Sequence, residues 1–300
     1  MASMIQAPNL QKGDTIALIS PAKAIEKELV VAAQKFFEDC GFHVLIGQHA
    51  CGVDRYFSGT DDERASDLQA AIDHPDVKAI VCNRGGYGAV HLLNRVNWAN
   101  LLREPRWILG FSDITYFHCF AQKLGIQSIH STMPLNFAEN TQESLDSMLN
   151  TLKGLPTTYQ WASSSHNKTG EVQAELVGGN LSILYALLGT TYCPNFENKI
   201  LFIEDVGEQY YHLDRIFWSF HYAGIWNQIS GLIVGGMTGM KDTENPTNWT
   251  IESLVKAHTA FRKIPIAFDA PVGHINDNRS FIIGRTAQLR VTDNVVEFSQ

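Results

Sequence analysis

The apolar positions of the first 132 residues fall into short runs separated by segments with helical spacing. The short runs predict strands at residues 14–20, 43–46, 77–82, 106–111 and 127–132. The intervening segments predict helices at residues 26–40, 61–74, 89–96 and 113–124. Strands that alternate with helices form mostly parallel sheets with helices on both faces. The pattern therefore predicts an α/β domain at residues 1–138.

The second half of the chain has a different pattern, with more strands and fewer helices. Apolar runs predict strands at residues 171–177, 199–203, 229–234, 264–268 and 281–283, and a hairpin of 287–291 with 295–298 around Asp293 and Asn294. Helical spacing occurs at residues 181–188, 213–223 and 251–261. Residues 139–170 are polar and predict a connecting segment that includes one helix. The fold class is thus α/β, with a smaller C-terminal α+β domain at 171–300 that has a curved or barrel-like sheet.

Composition narrows the partners that this chain is expected to have. Acidic residues outnumber basic ones by 31 to 23, so the net charge is −8 and nucleic acid is not expected as a partner. No apolar stretch approaches the roughly 18 residues of a membrane span, and the N-terminus does not resemble a signal peptide. We therefore expect a cytoplasmic protein without a membrane partner.

The five cysteines are scattered, form no CxxC pair and do not cluster with histidines. Reduced thiols are the rule in the cytosol, so the cysteines are expected to be reduced and mostly buried. The sequence predicts neither a metal nor another cofactor.

Ser112 occupies the junction between a predicted strand and a predicted helix. Such a turn projects a side chain at the carboxyl edge of the sheet, where open α/β folds bind ligands. The N–H groups at the start of the helix suit a developing oxyanion. Ser112 is therefore a candidate nucleophile, although a serine at this position could equally be a simple helix N-cap.

A serine nucleophile needs a base, and the base needs an orienting carboxylate. His274 lies in a loop after an apolar strand, and Glu204 ends the apolar run at residues 200–203. A carboxylate at the end of such a strand is costly to bury without a partner. Taken singly, the histidine could be structural and the glutamate solvated; their occurrence with Ser112 makes a Ser-His-Glu triad the hypothesis.

A glycine-rich loop, residues 83–88 with the sequence NRGGYG, follows the strand predicted at 77–82. It lacks the GxGxxG pattern of dinucleotide sites and the Lys-Ser/Thr of a P-loop. Its glycines would let backbone N–H groups approach a substrate carbonyl, as in an oxyanion hole. Arg84 is the candidate for binding a terminal carboxylate, because a guanidinium matches two carboxylate oxygens. A structural ion pair is the alternative for Arg84.

Six segments, spread over nearly the whole chain, together resemble the murein tetrapeptide LD-carboxypeptidases. They are ISPA at 19–22, RGGYG at 84–88, GFSDIT at 110–115, GGNL at 178–181, EDVGE at 204–208 and GH at 273–274. The resemblance implies a serine peptidase with Ser112 as nucleophile, His274 as base and Glu204 as its partner. It places oxyanion-hole N–H groups at Gly86 and Asp113, and it suggests a homodimer. Peptidases giving immunity to microcin C-type antibiotics resemble this chain in the same segments.

The resemblance also implies the reaction, which is hydrolysis of the bond between an L-diamino acid and the terminal D-alanine of a murein tetrapeptide in cell-wall recycling. The expected pathway is an acyl-enzyme, as for other serine peptidases. Two other activities remain open: a microcin C-type immunity peptidase that cleaves aminoacyl-nucleotide analogues, and a non-catalytic α/β ligand-binding protein. A cysteine hydrolase using Cys82 or Cys119 is disfavoured, because both lie in segments typical of buried thiols.

Overall fold

The computed structural model describes residues 4–300, which form two compact units. The first unit contains residues up to 155 together with 276–284, and the second contains 156–275 with 285–300. Each unit has a sheet of its own. Within the described residues, no helix is both long and apolar enough to cross a membrane.

The described part of the chain forms thirteen strands. They are β1 (Thr15–Ile19), β2 (His43–Ile46), β3 (Val77–Cys82), β4 (Trp107–Gly110), β5 (Ser128–His130), β6 (Thr158–Ala162), β7 (Gly170–Asn180), β8 (Ile200–Val206), β9 (Gly231–Thr238), β10 (Ile266–Ala267), β11 (Phe281–Ile283), β12 (Thr286–Val291) and β13 (Val295–Ser299).

Nine α-helices accompany these strands in residues 4–300. They are α1 (Lys27–Asp39), α2 (Asp61–Asp73), α3 (Ala99–Arg103), α4 (Thr115–Lys123), α5 (Gln142–Leu152), α6 (Leu181–Ala186), α7 (Tyr210–Tyr222), α8 (Ile225–Gln228) and α9 (Ile251–Thr259). Three short 3₁₀ turns complete the set, at Ala89–Leu92, Ser112–Ile114 and Pro134–Asn136.

The first unit is built on a six-stranded sheet in the order β11-β5-β4-β3-β1-β2. All its pairings are parallel except that of β11 with β5. All five residues of β1 are buried, as expected for a central strand of a parallel sheet. Helix α1 buries Val30, Ala33 and Phe37, whose spacing places one apolar face on the core. Helix α2 begins with a capping box between Thr60 and Glu63.

The second unit is built on a seven-stranded mixed sheet in the order β10-β9-β8-β7-β12-β13-β6. Strands β10, β9, β8 and β7 are parallel, whereas β12, β13 and β6 are added by antiparallel pairing. Strand β8 is buried along Ile200–Asp205 and lies between two neighbours. The predicted fold class, with a mostly parallel N-terminal sheet and a C-terminal α+β part, is confirmed.

Some elements differ from the sequence-based prediction. The apolar run at 281–283 was expected in the C-terminal sheet, but β11 pairs with β5 as an edge strand of the first unit. The helix predicted at 89–96 is only a 3₁₀ turn at Ala89–Leu92. Residues 139–170, expected to be a connecting segment with one helix, contain α5 in the first unit and, in addition, the strand β6 in the second. An apolar pattern identifies a strand but not its pairing partner, which explains the misplacement of β11.

Candidate active site

Ser112 is the first residue of the 3₁₀ turn that connects β4 to α4. Its φ is +63°, a left-handed conformation that non-glycine residues rarely adopt and that occurs often at functional sites. The side chain is partly buried, and among the hydrogen bonds of residues 4–300 it makes no capping bond to the helix. The alternative that Ser112 is only an N-cap is therefore not supported. We call residues 110–113 the elbow.

Two groups in the first unit fix the backbone of the elbow. Gly110 has a φ of +151°, and a Cβ at this position would lie 2.9 Å from the Ile114 side chain. The Gly110 carbonyl accepts a hydrogen bond from Nε2 of the buried His118, at 2.8 Å. Burial lowers the pKa of His118 to about 4, so the imidazole is neutral at pH 7. Its Nδ1 then accepts from the Ser128 hydroxyl, at 2.9 Å.

The glycine-rich loop lies directly against the elbow. A Cβ at Gly85 would lie 3.1 Å from Cβ of Ser112 and 3.3 Å from the backbone nitrogen of Asp113. Gly86, the next residue, is exposed and has a φ of +106°. The residues expected to supply oxyanion N–H groups, Gly86 and Asp113, therefore belong to two segments that the first unit brings together.

Arg84, the candidate for binding a terminal carboxylate, is partly buried in the same loop. Its Nη1 donates to the Ala24 carbonyl at 2.9 Å. Within residues 4–300 it has no carboxylate partner among the ion pairs. The alternative of a structural ion pair is not supported, and the role in substrate binding stays a prediction.

Glu204 and His274 are 70 residues apart in sequence, and the second unit brings them together. Nδ1 of His274 and Oε2 of Glu204 are 2.5 Å apart, and the Glu204 side chain is fully buried. Nδ1 therefore carries the proton shared with the carboxylate, and the lone pair of the neutral ring lies on Nε2. A buried carboxylate that orients an imidazole is the arrangement a general base requires.

Glycines permit this close approach. Gly273 has a φ of +105°, and a Cβ at this position would lie 2.6 Å from Cβ of Glu204. On the neighbouring strand β9, a Cβ at Gly235 would lie 2.4 Å from the Val272 carbonyl. The Thr238 hydroxyl donates to the His274 carbonyl at 2.9 Å. The histidine loop is thus seated on β9, next to the end of β8.

Asp205 follows Glu204 but makes quite different contacts. Its carboxylate accepts from Nδ2 of Asn180 at 2.9 Å, and from the backbone N–H and the hydroxyl of Ser182 at 2.9 and 2.8 Å. Burial raises the pKa of Asp205, as does the charge of Glu204, and these hydrogen bonds oppose the rise. Asp205 therefore ties the start of α6 to the end of β8, while Glu204 contacts the histidine.

The charge on Glu204 predicts a shifted pH dependence. Burial would lower the pKa of His274, but the Glu204 charge and hydrogen bond outweigh it and, with Asp205, raise the pKa above 6.5. Because a base must be neutral to accept a proton, the acid limb of kcat/KM should lie above pH 6.5. In Glu204→Gln the burial effect remains and the anion is lost, so the limb should move to lower pH. Rates measured between pH 5 and 9 check this; an unmoved limb contradicts it.

Other sequence candidates are not part of this arrangement. Cys82 and Cys119 are buried, and burial raises the pKa of the Cys82 thiol well above its usual range. A thiol of that kind is a poor nucleophile. No group of three or more potential metal-ligating side chains occurs in the described residues.

Comparison with known protein families shows which family this chain belongs to. The chain matches the LD-carboxypeptidase N-terminal domain over residues 16–131 and the LD-carboxypeptidase C-terminal domain over residues 173–289. The protein belongs to the LD-carboxypeptidase family. The elbow and the glycine-rich loop fall in the first match, and Glu204 and His274 fall in the second.

Two relatives indicate the range of activities in the LD-carboxypeptidase family. The murein tetrapeptide carboxypeptidase of Pseudomonas aeruginosa is 31% identical over 287 residues, which span 91% of this chain and 92% of that protein. The microcin C7 self-immunity protein MccF of Escherichia coli is 26% identical over 268 residues, or 77% of this chain and 78% of that protein.

Solved structures share the fold over almost the entire chain. The muramoyltetrapeptide carboxypeptidase from Oxalobacter formigenes has a TM-score of 0.87 at 25% identity, covering 95% of this chain and 98% of that one. A structure of the microcin C7 self-immunity protein with adenosine monophosphate has a TM-score of 0.88 at 20% identity, covering 99% and 98%. The second likeness shows the fold alone. Family membership supports a serine-type carboxypeptidase as the general class of activity.

The structure also reveals residues near the elbow that the sequence did not single out. Arg64 is completely buried, although it lies in the polar first turn of α2. The side chain of Asp113 is buried as well. The GFSDIT segment pointed to the backbone N–H of Asp113, but no motif indicated that the side chain of either residue is buried here.

Proposed function

We propose that this protein is a serine LD-carboxypeptidase that removes the terminal D-alanine of murein tetrapeptides. The observation that carries the proposal is the buried Glu204–His274 pair, 2.5 Å apart, in a chain of the LD-carboxypeptidase family. In enzymes, an imidazole oriented in this way usually activates a hydroxyl group as a nucleophile. Ser112, on a strained turn in the family's N-terminal domain, is the hydroxyl that we assign to it.

The chemistry follows from these roles. His274 takes the Ser112 proton as Oγ attacks the carbonyl of the diamino acid, and Glu204 stabilises the imidazolium that forms. The backbone N–H groups of Gly86 and Asp113 bind the oxyanion. Collapse of the tetrahedral intermediate gives an acyl-enzyme and free D-alanine, after His274 returns the proton to the leaving amine. Water then attacks the acyl-enzyme, with His274 again as base, and the tripeptide leaves.

A carboxypeptidase must also recognise a free carboxylate. We propose that Arg84 does so, since it precedes Gly85, whose backbone lies against the elbow, and its guanidinium is held only by the Ala24 carbonyl in the hydrogen bonds described above. Recycling of cell-wall peptides implies a cytoplasmic location, and the family resemblance suggests a homodimer. Both are part of the proposal.

The reaction predicts a position- and stereochemistry-specific product. Mass spectrometry should show the loss of one alanine from an L-diamino acid–D-alanine tetrapeptide and no loss from the pentapeptide, whose terminal bond joins two D-residues. The matched control is a tetrapeptide ending in L-alanine. Release of alanine from the pentapeptide would contradict the assignment.

The relationship to the microcin C7 self-immunity protein favours a second candidate function. That protein is similar over 77% of this chain, so an immunity peptidase acting on aminoacyl-nucleotide analogues shares the proposed mechanism. Side-by-side kcat/KM values for the tetrapeptide and for an aminoacyl sulfamoyl adenosine distinguish the two. We expect the tetrapeptide to be preferred; the reverse preference would assign the protein to the immunity branch.

A further inference from the structure

The carboxylate of Asp113 connects the two segments that we assign to the oxyanion hole. Its Oδ2 accepts a hydrogen bond from the backbone N–H of Ala89 at 2.8 Å, and the Gly88 N–H also points to this carboxylate. Asp113 is 1% exposed. Gly88 ends the glycine-rich loop and Ala89 begins the 3₁₀ turn after it, whereas Asp113 follows the nucleophile. One side chain therefore ties the end of the loop to the residue after Ser112.

Arg64 holds the same loop from the other side. Its side chain has no exposed surface and donates to the carbonyls of Pro21 at 2.5 Å, Gly88 at 3.0 Å and Gly59 at 3.2 Å. It also pairs with Asp61 and packs 4.8 Å from the Phe57 ring. A guanidinium is suited to this position because its five N–H groups lie in a fixed plane.

The absence of a side chain at Gly88 leaves room for the side chains of Arg64 and Phe57. The φ of Gly88 is +133°, and a Cβ at this position would lie 2.9 Å from Nη1 of Arg64 and 3.0 Å from the Phe57 ring. The Gly88 carbonyl thus faces Arg64, while the Ala89 N–H of the same peptide group faces Asp113. The oppositely charged side chains of Arg64 and Asp113 therefore both bond the peptide group between Gly88 and Ala89, where the glycine-rich loop ends.

We propose that Asp113 and Arg64 are positioning residues that hold the glycine-rich loop against the elbow and so set the oxyanion N–H of Gly86 relative to that of Asp113. Neither side chain takes part in bond making or breaking. Their charges are buried, so they fix the loop more firmly than neutral groups would. The inference rests on the proposed function, because it assigns the loop to that oxyanion hole.

The test combines a ligand-free measurement with a comparison of two ligands. Hydrogen exchange of the peptide containing residues 84–89 is measured in wild type and in Asp113→Asn. Affinity is then measured for a tripeptide boronic acid with boron at the scissile carbonyl, and for the product tripeptide. We expect faster exchange in the variant, boronic acid binding weaker by about 10- to 100-fold, and tripeptide binding changed less than about threefold, because only the tetrahedral adduct needs the oxyanion donors.

Asp67→Asn is the matched control. Asp67 is also buried in the first unit, and its carboxylate accepts from the backbone N–H groups of two consecutive residues, 48 and 49. It does not touch the glycine-rich loop. We expect this variant to lose a similar amount of thermal stability while the exchange of residues 84–89 and the affinity for the boronic acid stay unchanged.

Arg64→Lys keeps the charge but not the planar fork, and should show a smaller change of the same kind. If Arg64→Lys does not fold, the measurements on Asp113→Asn alone test the proposal. Unchanged exchange in Asp113→Asn would overturn the proposal, and so would faster exchange with equal loss of affinity for both ligands. If wild type itself binds no boronic acid, the proposed function fails, and the exchange measurement still decides whether Asp113 holds the loop.

Discussion

Ser112→Ala is expected to reduce the release of D-alanine by several orders of magnitude, up to about 10⁶-fold, because it removes the atom that attacks the carbonyl. The protein should remain folded. The hydroxyl does not cap the following helix, and an alanine accepts the same backbone conformation as a serine at a φ of +63°. We expect a change in the free energy of unfolding of no more than about 1 kcal/mol. Circular dichroism melting and an alanine-release assay measure the two effects separately.

Two further experiments make the assignment specific to Ser112. A fluorophosphonate should label wild type on the peptide that contains Ser112, and it should not label Ser112→Ala. Ser66→Ala is the matched control, because Ser66 lies in α2 of the same unit and, within residues 4–300, its hydroxyl bonds only the Glu63 carbonyl. It should retain full activity and labelling. Substantial turnover by Ser112→Ala would remove the serine mechanism.

The five parallel strands of the first sheet, β1 to β5, could be predicted because each is an apolar run that alternates with helical segments. Strand β1 and helix α2 begin within one residue of their predicted starts. Strand β6 was not predicted, since its alternate residues are exposed and polar or charged neighbours surround it. It forms because it pairs with β13, which lies far away in sequence; Trp161, for example, pairs with Val296. Such non-local pairing leaves little trace in a local window.

In the candidate site, too, some features could be predicted from the sequence and others depend on contacts between distant segments. Glu204 and His274 could each be read as ordinary residues, and the resemblance to a family made them a pair. Their contact depends on Gly273, which lets the histidine loop approach β8 closely. Arg64 could not be predicted, because an arginine in the first turn of a polar helix normally reaches solvent. It is buried because three loops direct backbone carbonyls, those of Pro21, Gly59 and Gly88, toward its guanidinium.

Glu204 and His274 are expected to act as one unit with Ser112. His274→Ala should reduce kcat about as much as Ser112→Ala, and the double variant should be less than about tenfold worse than either, because a nucleophile without its base is nearly as weak as none. Glu204→Gln should lose roughly 10³- to 10⁴-fold, since an amide can present the wrong group to Nδ1. Steady-state rates on the tetrapeptide measure these values. Additive losses would contradict a shared mechanism.

Asp205→Asn is the matched control for Glu204→Gln. Both residues are buried carboxylates on the same strand, but Asp205 bonds Asn180 and Ser182 rather than the histidine. Its replacement should lower thermal stability through the start of α6. We expect its kcat to fall much less than that of Glu204→Gln. Equal losses in kcat would mean that charge at the end of β8, and not the contact with His274, is what the reaction requires.

Stability gives a second, independent signature of the same pair. Glu204 is completely buried; its Oε2 contacts Nδ1 of His274, and among the described residues its Oε1 has no hydrogen-bond partner. His274→Ala therefore strands a buried carboxylate and should cost about 3–5 kcal/mol in the free energy of unfolding. Adding Glu204→Gln should recover much of that loss, because a neutral amide is less costly to bury. The two substitutions should therefore compensate for each other in the free energy of unfolding, although each one alone removes most of the activity. Chemical denaturation of wild type, His274→Ala, Glu204→Gln and the double variant gives the four free energies of unfolding that this double-mutant cycle needs. A double variant less stable than His274→Ala would show that the carboxylate has another partner in the folded enzyme.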